Sequence, residues 1–180
     1  MHKVLNLHNW MIGLPGDIQA KVQLHFVTQK YSKGEFVFRT GDQPDFCLQV
    51  LSGRLKVCNY SVTGQEMVHT HLVKGDCVGD WSLILDEPRM NAVISCGNTE
   101  VNLLSKLHFE RLYNTHPEIP KAINIAMAQR LRLMFMLAED AGLLPLRQRL
   151  ARAIIRIAYG LGHKISNEQI VIDNVSQEEL

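Results

Sequence analysis

The sequence predicts an α+β protein in which an antiparallel β jelly roll is followed by helices. Its first half reads as short runs of β-branched and aromatic residues separated by glycine turns. From Gly41 to Gly75 these turns recur about every eleven or twelve residues, an interval typical of a sandwich or barrel built of hairpins. After residue 107 the glycine turns stop, and long stretches with helical periodicity begin.

The strands are expected between residues 22 and 104. Clear runs of apolar and β-branched residues cover 35–39, 46–51, 54–58 and 66–73. The turns between and around them contain Gly34, Gly41, Gly53, Gly64 and Gly75, where glycine permits the positive φ that a tight turn needs. We expect a β-roll domain to span residues 1–115.

A long helix is expected over 121–142, because this stretch has no proline and its only glycine is the last residue. Pro120 suits the first helical turn. A seam spaced by 4, 3, 4 and 3 residues runs along the helix and consists of Met127, Leu131, Met134, Ala138 and Ala141. Apolar residues beyond the seam favour packing on two sides, so we expect 117–142 to be the dimerisation helix of a homodimer. A core helix within one monomer is the alternative.

A second helix is expected over 146–160, after a break at Gly142 and Pro145. It contains no acid and four arginines, Arg147, Arg149, Arg152 and Arg156. Between residues 121 and 164 there are eight Lys or Arg residues and two acids. Such a run usually forms a solvated helix face, and here it is also a weak indication of contact with a phosphate backbone.

The last residues predict further elements. A short hairpin is expected over 164–173, with Asn167 and Glu168 as its turn. Ser176 followed three residues later by Glu179 forms a capping box, which opens a helix. Since an isolated helical turn is unstable, we expect a C-terminally truncated chain in which 145–180 is the first part of a third domain.

The composition excludes several classes of protein. With 46% hydrophobic residues the chain can form a core, and its net charge of +1 gives no overall sign of a nucleic-acid partner. No apolar run approaches the roughly 18 residues of a membrane span. The four cysteines lack the spacing of a zinc or iron–sulfur site, so we expect reduced thiols in a soluble cytoplasmic protein without a metal. No nucleophile elbow, P-loop or dinucleotide fingerprint occurs, which argues against an enzyme.

One segment could bind a phosphate: residues 75–93, with the sequence GDCVGDWSLILDEPRMNAV. Backbone N–H groups near Gly79 would face the anion, and Arg89 would supply positive charge. Asp80 could accept a hydrogen bond from a sugar hydroxyl. The rest of the candidate ligand-binding set within this segment is Trp81, Ser82 and Met90. Taken alone, such a pattern is more often a plain turn with a surface arginine.

The order of these motifs resembles the bacterial Crp/Fnr family, that of the cyclic AMP receptor protein and the fumarate–nitrate reductase regulator. The shared landmarks are VLSGRLKV at 50–57, the Gly79–Asp80 loop, Pro88 with Arg89, and VSQEEL at 175–180. The resemblance covers about residues 20 to 180. It implies a β-roll like a cyclic nucleotide-binding domain, a dimerisation helix and a winged helix-turn-helix domain. It also implies a small-molecule effector and, for the full-length protein, promoter DNA and RNA polymerase as partners.

The sequence departs from the cyclic-AMP-binding members of that family. Their cassette has Gly-Glu before the loop and a Ser or Thr after the arginine, whereas here Asp80 and Met90 hold these places. Their two adjacent adenine-binding hydroxyl residues on the helix correspond, counted without gaps, to Met134 and Phe135. Each lost hydrogen bond would cost roughly 1–3 kcal/mol. We therefore expect a ligand-responsive transcription regulator that is not tuned to cyclic AMP and that uses another effector or none.

Two alternatives remain open. The first is a stand-alone sensor or protein-interaction module of the same fold without DNA binding. The second is a cupin-like metalloenzyme, because Gly64, His69, His71 and Asp76 resemble half of a cupin metal site. On a regular strand the two histidines would share one face, as chelation requires. That family has Glu where Asp76 stands, and no second motif supplies another histidine.

Overall fold

The computed structural model describes residues 7–161, 163–164 and 170–171. The chain divides into two compact units, and the boundary falls inside the long helix. The first unit spans His8–Ile125. The second contains Leu7 and the described residues from Ala126 onward.

The first unit contains eight strands in two four-stranded antiparallel sheets. The strands are β1 Val27–Tyr31, β2 Phe36–Phe38, β3 Phe46–Ser52, β4 Leu55–Tyr60, β5 Glu66–Leu72, β6 Cys77–Val78, β7 Ala92–Ser95 and β8 Thr99–Ser105. One sheet has the order β1-β8-β3-β6 and the other β2-β7-β4-β5. The antiparallel jelly roll expected from the glycine spacing is confirmed, and the four clear strand runs correspond to β2, β3, β4 and β5.

The strand region begins later than the sequence suggested. Val22 lies in helix α1, Gly16–Gln23, where it is fully buried together with Ile18. These two residues are four apart and share one helix face, so their burial belongs to a helix and the expectation of strands from residue 22 was wrong. The unit also contains the 3-10 helix Trp10–Gly13, the helices α2 Asp80–Leu85 and α3 Lys106–Thr115, and the start of the long helix.

The core of the first unit is drawn from the inward faces of both sheets. It consists of Val37, Phe38, Leu48, Val50, Leu55, Val57, Leu72, Val93 and Val101. Strand periodicity separates this core from a second, smaller cluster on the outer face of the sheet β2-β7-β4-β5. Cys58, Ala92 and Ile94 form that cluster, with Phe36 and Val68 packed against it. The four cysteines are free thiols, and three of them are buried.

The long helix α4 spans Glu118–Leu143, three residues earlier and one residue later than expected, with Pro120 in its first turn. Helix α5 follows over Leu146–Leu161. Beyond it, β9 His163–Lys164 pairs antiparallel with β10 Ile170–Val171, as a hairpin requires. The expected turn of this hairpin and the capping box at 176–179 lie outside the described residues. Among the described helices, none combines the length and apolar composition that crossing a membrane requires.

A buried carboxylate joins α4 to α5 in the second unit. The Asp140 side chain is 5% exposed and accepts a hydrogen bond from Arg156 Nη1 at 2.8 Å and another from Arg152 Nη1. Hydrogen bonding from Arg156, with a further contribution from Arg152, lowers the pKa of Asp140. Two of the four α5 arginines are therefore engaged within the protein, which reduces the positive charge that the sequence count assigned to this helix.

Candidate functional site

The centre of the candidate site is the contact between Gly79 and Arg89, two residues of the segment 75–93, which we call the cassette. Gly79 caps α2 with φ of 95°, a left-handed conformation that favours glycine. A Cβ atom here would lie 2.8 Å from Arg89 Nη1 and 3.2 Å from the Phe46 carbonyl oxygen. Position 79 is therefore restricted to glycine by backbone conformation and by space together.

Arg89 is turned into the protein, with only 2% of its surface exposed. Its Nη1 donates to the Gly79 carbonyl oxygen at 3.0 Å, and its Nη2 donates to the carbonyl oxygen of Phe46. The guanidinium carbon also lies 4.3 Å from the ring centroid of Phe38 and 5.3 Å from that of Phe46. The cation is thus held by backbone acceptors and aromatic faces, an arrangement suited to a buried arginine.

The backbone of Arg89 is fixed as well. Its N–H donates to the Asp42 carbonyl oxygen at 2.8 Å, and its carbonyl accepts from the Gly41 N–H at 2.8 Å. Burial lowers the pKa of Arg89, while the carboxylates of Asp42, Asp45 and Asp80 act in the opposite direction. The guanidinium remains protonated, since arginine does not lose its proton in proteins.

The two hydrogen bonds to backbone carbonyls use two of the five N–H donors of Arg89, and Nε–H and one N–H each on Nη1 and Nη2 are left over. Its Nε is buried and has no hydrogen-bond partner in the part of the chain that the structure describes. An anionic group would fit this nitrogen, because an unsatisfied buried donor costs free energy that a charge-assisted hydrogen bond recovers. Nε is the guanidinium nitrogen of Arg89 without a hydrogen-bond partner among the described residues, and Nη1 and Nη2 each keep a second N–H beside the carbonyl that they bind.

The other cassette residues differ in exposure. Asp80 is 2% exposed, and its carboxylate adds to burial in raising the pKa of Cys47. Ser82 is half-buried, and its carbonyl accepts the N–H of Glu87 at 3.1 Å. Trp81 and Met90 lie at the surface, 40% and 62% exposed. The structure thus brings Gly79, Asp80 and Arg89 into one buried group and leaves two of the expected ligand contacts outside it.

Met134 and Phe135 lie in the second unit, on the part of α4 beyond Ala126, and are 53% and 63% exposed.

Phe38, Phe46 and Asp42 contact Arg89 and were not identified as site residues from the sequence. Phe38 and Phe46 are aromatic residues in adjacent strand runs, a pattern that predicts core packing and gives no sign of a bound cation. The sequence carries no signal for Asp42.

The structure does not support the cupin-like metal site. In the pairing of β4 with β5, Val57 faces Thr70 and Cys58 faces Val68, so His69 is an extra residue in a bulge. The regular alternation that would put His69 and His71 on one face is interrupted there. Among the residues that the structure describes, no three His, Cys, Asp or Glu side chains are grouped to hold a metal ion.

Residues 28–116 match the family model of the cyclic nucleotide-binding domain. The first unit therefore has the fold of a cyclic nucleotide-binding domain, with helices after it. The match extends from β1 to the end of α3 and includes Gly79, Asp80 and Arg89.

The chain is similar to proteins with different overall activities. Lysophospholipase NTE1 of Mycosarcoma maydis is 25% identical over 114 residues, which are 63% of this chain and 6% of that protein. The cAMP-activated global transcriptional regulator CRP of Escherichia coli O157:H7 is 22% identical over 135 residues, which are 74% of this chain and 64% of that protein. The chain thus spans a small part of the lysophospholipase and just under two thirds of the regulator.

A solved structure shows the same architecture. The c-di-GMP responsive global regulator CLP of Xanthomonas campestris superposes with a TM-score of 0.69 at 20% identity, over 87% of this chain and 76% of that one. At this level of identity the likeness is one of fold. It extends beyond residues 28–116, since it covers most of the chain.

Proposed function

We propose that the chain is the sensor and dimerisation portion of a ligand-responsive transcription regulator. The observation that carries the proposal is the buried Gly79–Arg89 contact in a β-roll of cyclic nucleotide-binding type, on a chain that continues into a helix of 26 residues. The similarity to CRP and CLP, both named as global regulators, supports the same assignment. The domains proposed are the β-roll over 1–115, the dimerisation helix over 117–142 and the start of a winged helix-turn-helix over 145–180.

We further propose that the effector binds at Gly79, Asp80 and Arg89 and is not cyclic AMP. The two terminal nitrogens of Arg89 each donate to a backbone carbonyl, and Nε, which has no partner among the described residues, is the proposed donor to an anion. Met90 presents a thioether where the resemblance implies a hydroxyl, and positions 134 and 135 likewise lack one. CLP, which has this fold, is named for its response to a different nucleotide.

A thermal melt with 1 mM cyclic AMP is expected to leave the melting temperature unchanged. A site filled at one hundred times its Kd would gain about 2.7 kcal/mol of stability, which differential scanning fluorimetry detects readily. AMP at the same concentration is the control for nonspecific nucleotide effects. A rise in melting temperature with cyclic AMP and not with AMP would show that the missing hydroxyls do not exclude this ligand.

The exposed apolar face of α4 supports a homodimer. On the seam, Leu131 and Met134 are 58% and 53% exposed, and outside it Phe135 and Met136 are 63% and 46% exposed. Ala138 and Ala141 on the same seam are also exposed, and Met127 is half-buried. Small residues along such a seam permit close approach of a second helix, and the large ones supply apolar area to bury.

Met134→Glu is expected to convert the dimer to a monomer and to abolish the response to the effector. A carboxylate in the seam would have to lose its water without a partner, which costs several kcal/mol per ion. Size-exclusion chromatography with light scattering gives the mass directly. Gln129→Glu is the matched control, because it introduces the same charge at an exposed position of α4 outside the seam. A Met134→Glu protein that remains dimeric would contradict the role assigned to this helix.

One observation favours the second candidate, a sensor module of the same fold that does not bind DNA. Arg152 and Arg156 bind Asp140, so the basic character of α5 serves in part to hold this helix to α4. Arg147 and Arg149 are exposed and remain for contact with phosphates. Binding of duplex DNA by the protein, measured over a range of salt concentrations, separates the two candidates.

A further inference from the structure

A cavity of about 340 Å³ opens on the outer face of the sheet β2-β7-β4-β5. Its lining residues are Phe36, Arg39, Thr40, Asn59, Tyr60 and Ala92. Phe36 and the buried Ala92 belong to the outer apolar cluster. The cavity therefore has an apolar floor, on the face of the sheet opposite to the main core.

Arg39 supplies a positive charge at the rim of this cavity. Its guanidinium carbon lies 3.5 Å from the ring centroid of Phe36, and stacking of this kind orients the guanidinium plane and leaves its N–H edges to donate. Within the described residues no carboxylate comes within ion-pair distance of this guanidinium. Asp42, which accepts from the Arg39 backbone N–H at 2.7 Å, also stays beyond that distance.

The polar walls of the cavity are held in place by hydrogen bonds. Asn59 Nδ2 donates to the Met90 carbonyl oxygen at 3.2 Å, and Asn91 Nδ2 donates to Asn59 Oδ1 at 2.9 Å. The Tyr60 hydroxyl donates to Glu66 Oε1 at 2.6 Å. Lys56 Nζ lies 2.7 Å from both oxygens of that carboxylate and neutralises it, so the charge that a ligand meets in the cavity is that of Arg39.

We propose that this cavity is a binding site for a small aromatic carboxylate. The carboxylate accepts hydrogen bonds from the Arg39 guanidinium, and the aromatic ring packs against Tyr60 and Ala92. Arginine binds carboxylates in a planar, two-point geometry that suits such a ligand. The volume lies near the lower end of the range for small-molecule sites, which matches an acid of one or two rings.

This site is separate from the cassette but close to it in the chain. Arg89 packs on Phe38, a residue of the main core, whereas Ala92 and Phe36 face outward. The segment between Arg89 and Ala92 has one end in each site. An experiment must therefore report which residues respond, as well as whether a ligand binds.

An NMR titration of the ¹⁵N-labelled protein with 1-naphthoate tests the proposal, with uncharged 1-naphthalenemethanol as the comparison ligand. We expect naphthoate to shift the amide signals of residues 39–40, 59–60 and 92, with a Kd on the order of 0.1–1 mM. Arg39→Gln is expected to weaken the affinity for naphthoate at least about 10-fold and to leave the affinity for naphthalenemethanol unchanged. Arg111→Gln, which changes an exposed arginine on α3, is the matched control and should bind naphthoate like the unchanged protein.

Three results would overturn the proposal. Equal affinity for naphthoate and naphthalenemethanol would show that Arg39 recognises no carboxylate. Unchanged naphthoate binding by the Arg39→Gln protein, with a melting temperature equal to that of the starting protein, would likewise show that Arg39 does not bind the carboxylate. Shifts centred on residues 79–89 would place the ligand in the cassette.

Discussion

Replacement of Arg89 by methionine is expected to lower the free energy of unfolding by roughly 2–5 kcal/mol. The guanidinium donates to two buried carbonyl groups, those of Gly79 and Phe46. A methionine side chain keeps most of the apolar contact with Phe38 but offers no donor, so both carbonyls lose a hydrogen bond where water has little access. Urea denaturation followed by tryptophan fluorescence measures the loss.

Arg39→Met is the matched control for this prediction, because the same substitution is made at an exposed arginine that also lies over an aromatic ring. Its effect should stay within about 0.5 kcal/mol, as for other surface substitutions. The loss of unfolding free energy in Arg89→Lys should lie between those of Arg89→Met and Arg39→Met. An ammonium group can donate, but it lacks the fork geometry that lets a guanidinium bind two carbonyls. If Arg89→Met cost less than about 1 kcal/mol, the guanidinium would not be what satisfies these carbonyls.

Arg89 holds two backbone carbonyls and is also the proposed donor to the effector, and the first role affects the second. A phosphate that took the N–H of Nη1 or Nη2 now donated to Gly79 or Phe46 would displace that carbonyl, and the lost hydrogen bond would offset part of the new one. A phosphate at Nε gains a donor that is buried and has no hydrogen-bond partner among the described residues. The proposed effector would place its anionic group at Nε, or at the second N–H of a terminal nitrogen, and leave the two carbonyl contacts in place.

Most of the fold could be predicted from the sequence, because it depends on local signals. Glycine at fixed intervals marked the hairpin turns, and all five turn glycines have positive φ. Strands β1, β6, β7 and β8 were not among the clear runs, and for β1, Val27–Tyr31, the reason is that four of its five residues are exposed and it carries little apolar alternation. Within the part of the chain that the structure describes, β1 lies at the edge of its sheet and pairs only with β8, so its position is set by that partner.

The site could be predicted only in part, because its contacts join distant parts of the chain. The cassette pattern identified Gly79, Asp80 and Arg89 as candidates, but the direction of the guanidinium depends on Phe46, 43 residues away. The pairing of Asp140 with Arg152 and Arg156 likewise spans 12 and 16 residues. A count of charges along the sequence treats these groups as independent, whereas in the folded protein they neutralise one another.

Gly53→Ala is expected to destabilise the protein by roughly 2–5 kcal/mol, the sum of left-handed backbone strain and a steric clash. Gly53 has φ of 81°. A Cβ atom would lie 2.5 Å from the Asn98 carbonyl oxygen, 2.6 Å from Thr99 Oγ1 and 2.8 Å from Thr99 Cα. Two of these atoms belong to the backbone. Thr99 is 1% exposed, and its hydroxyl accepts from the Ser95 hydroxyl at 2.9 Å, so it cannot move aside without breaking buried contacts.

Gly64→Ala separates the two causes. Gly64 has nearly the same φ, 83°, but a Cβ atom there would meet no atom within 4 Å. Its substitution therefore carries only the left-handed strain, about 1–2 kcal/mol. The difference between the two variants in urea denaturation measures the clash at the start of β8. Equal losses would mean that the turn between β3 and β4 moves away from Asn98 and Thr99 freely, and that Gly53 is required for its backbone conformation alone.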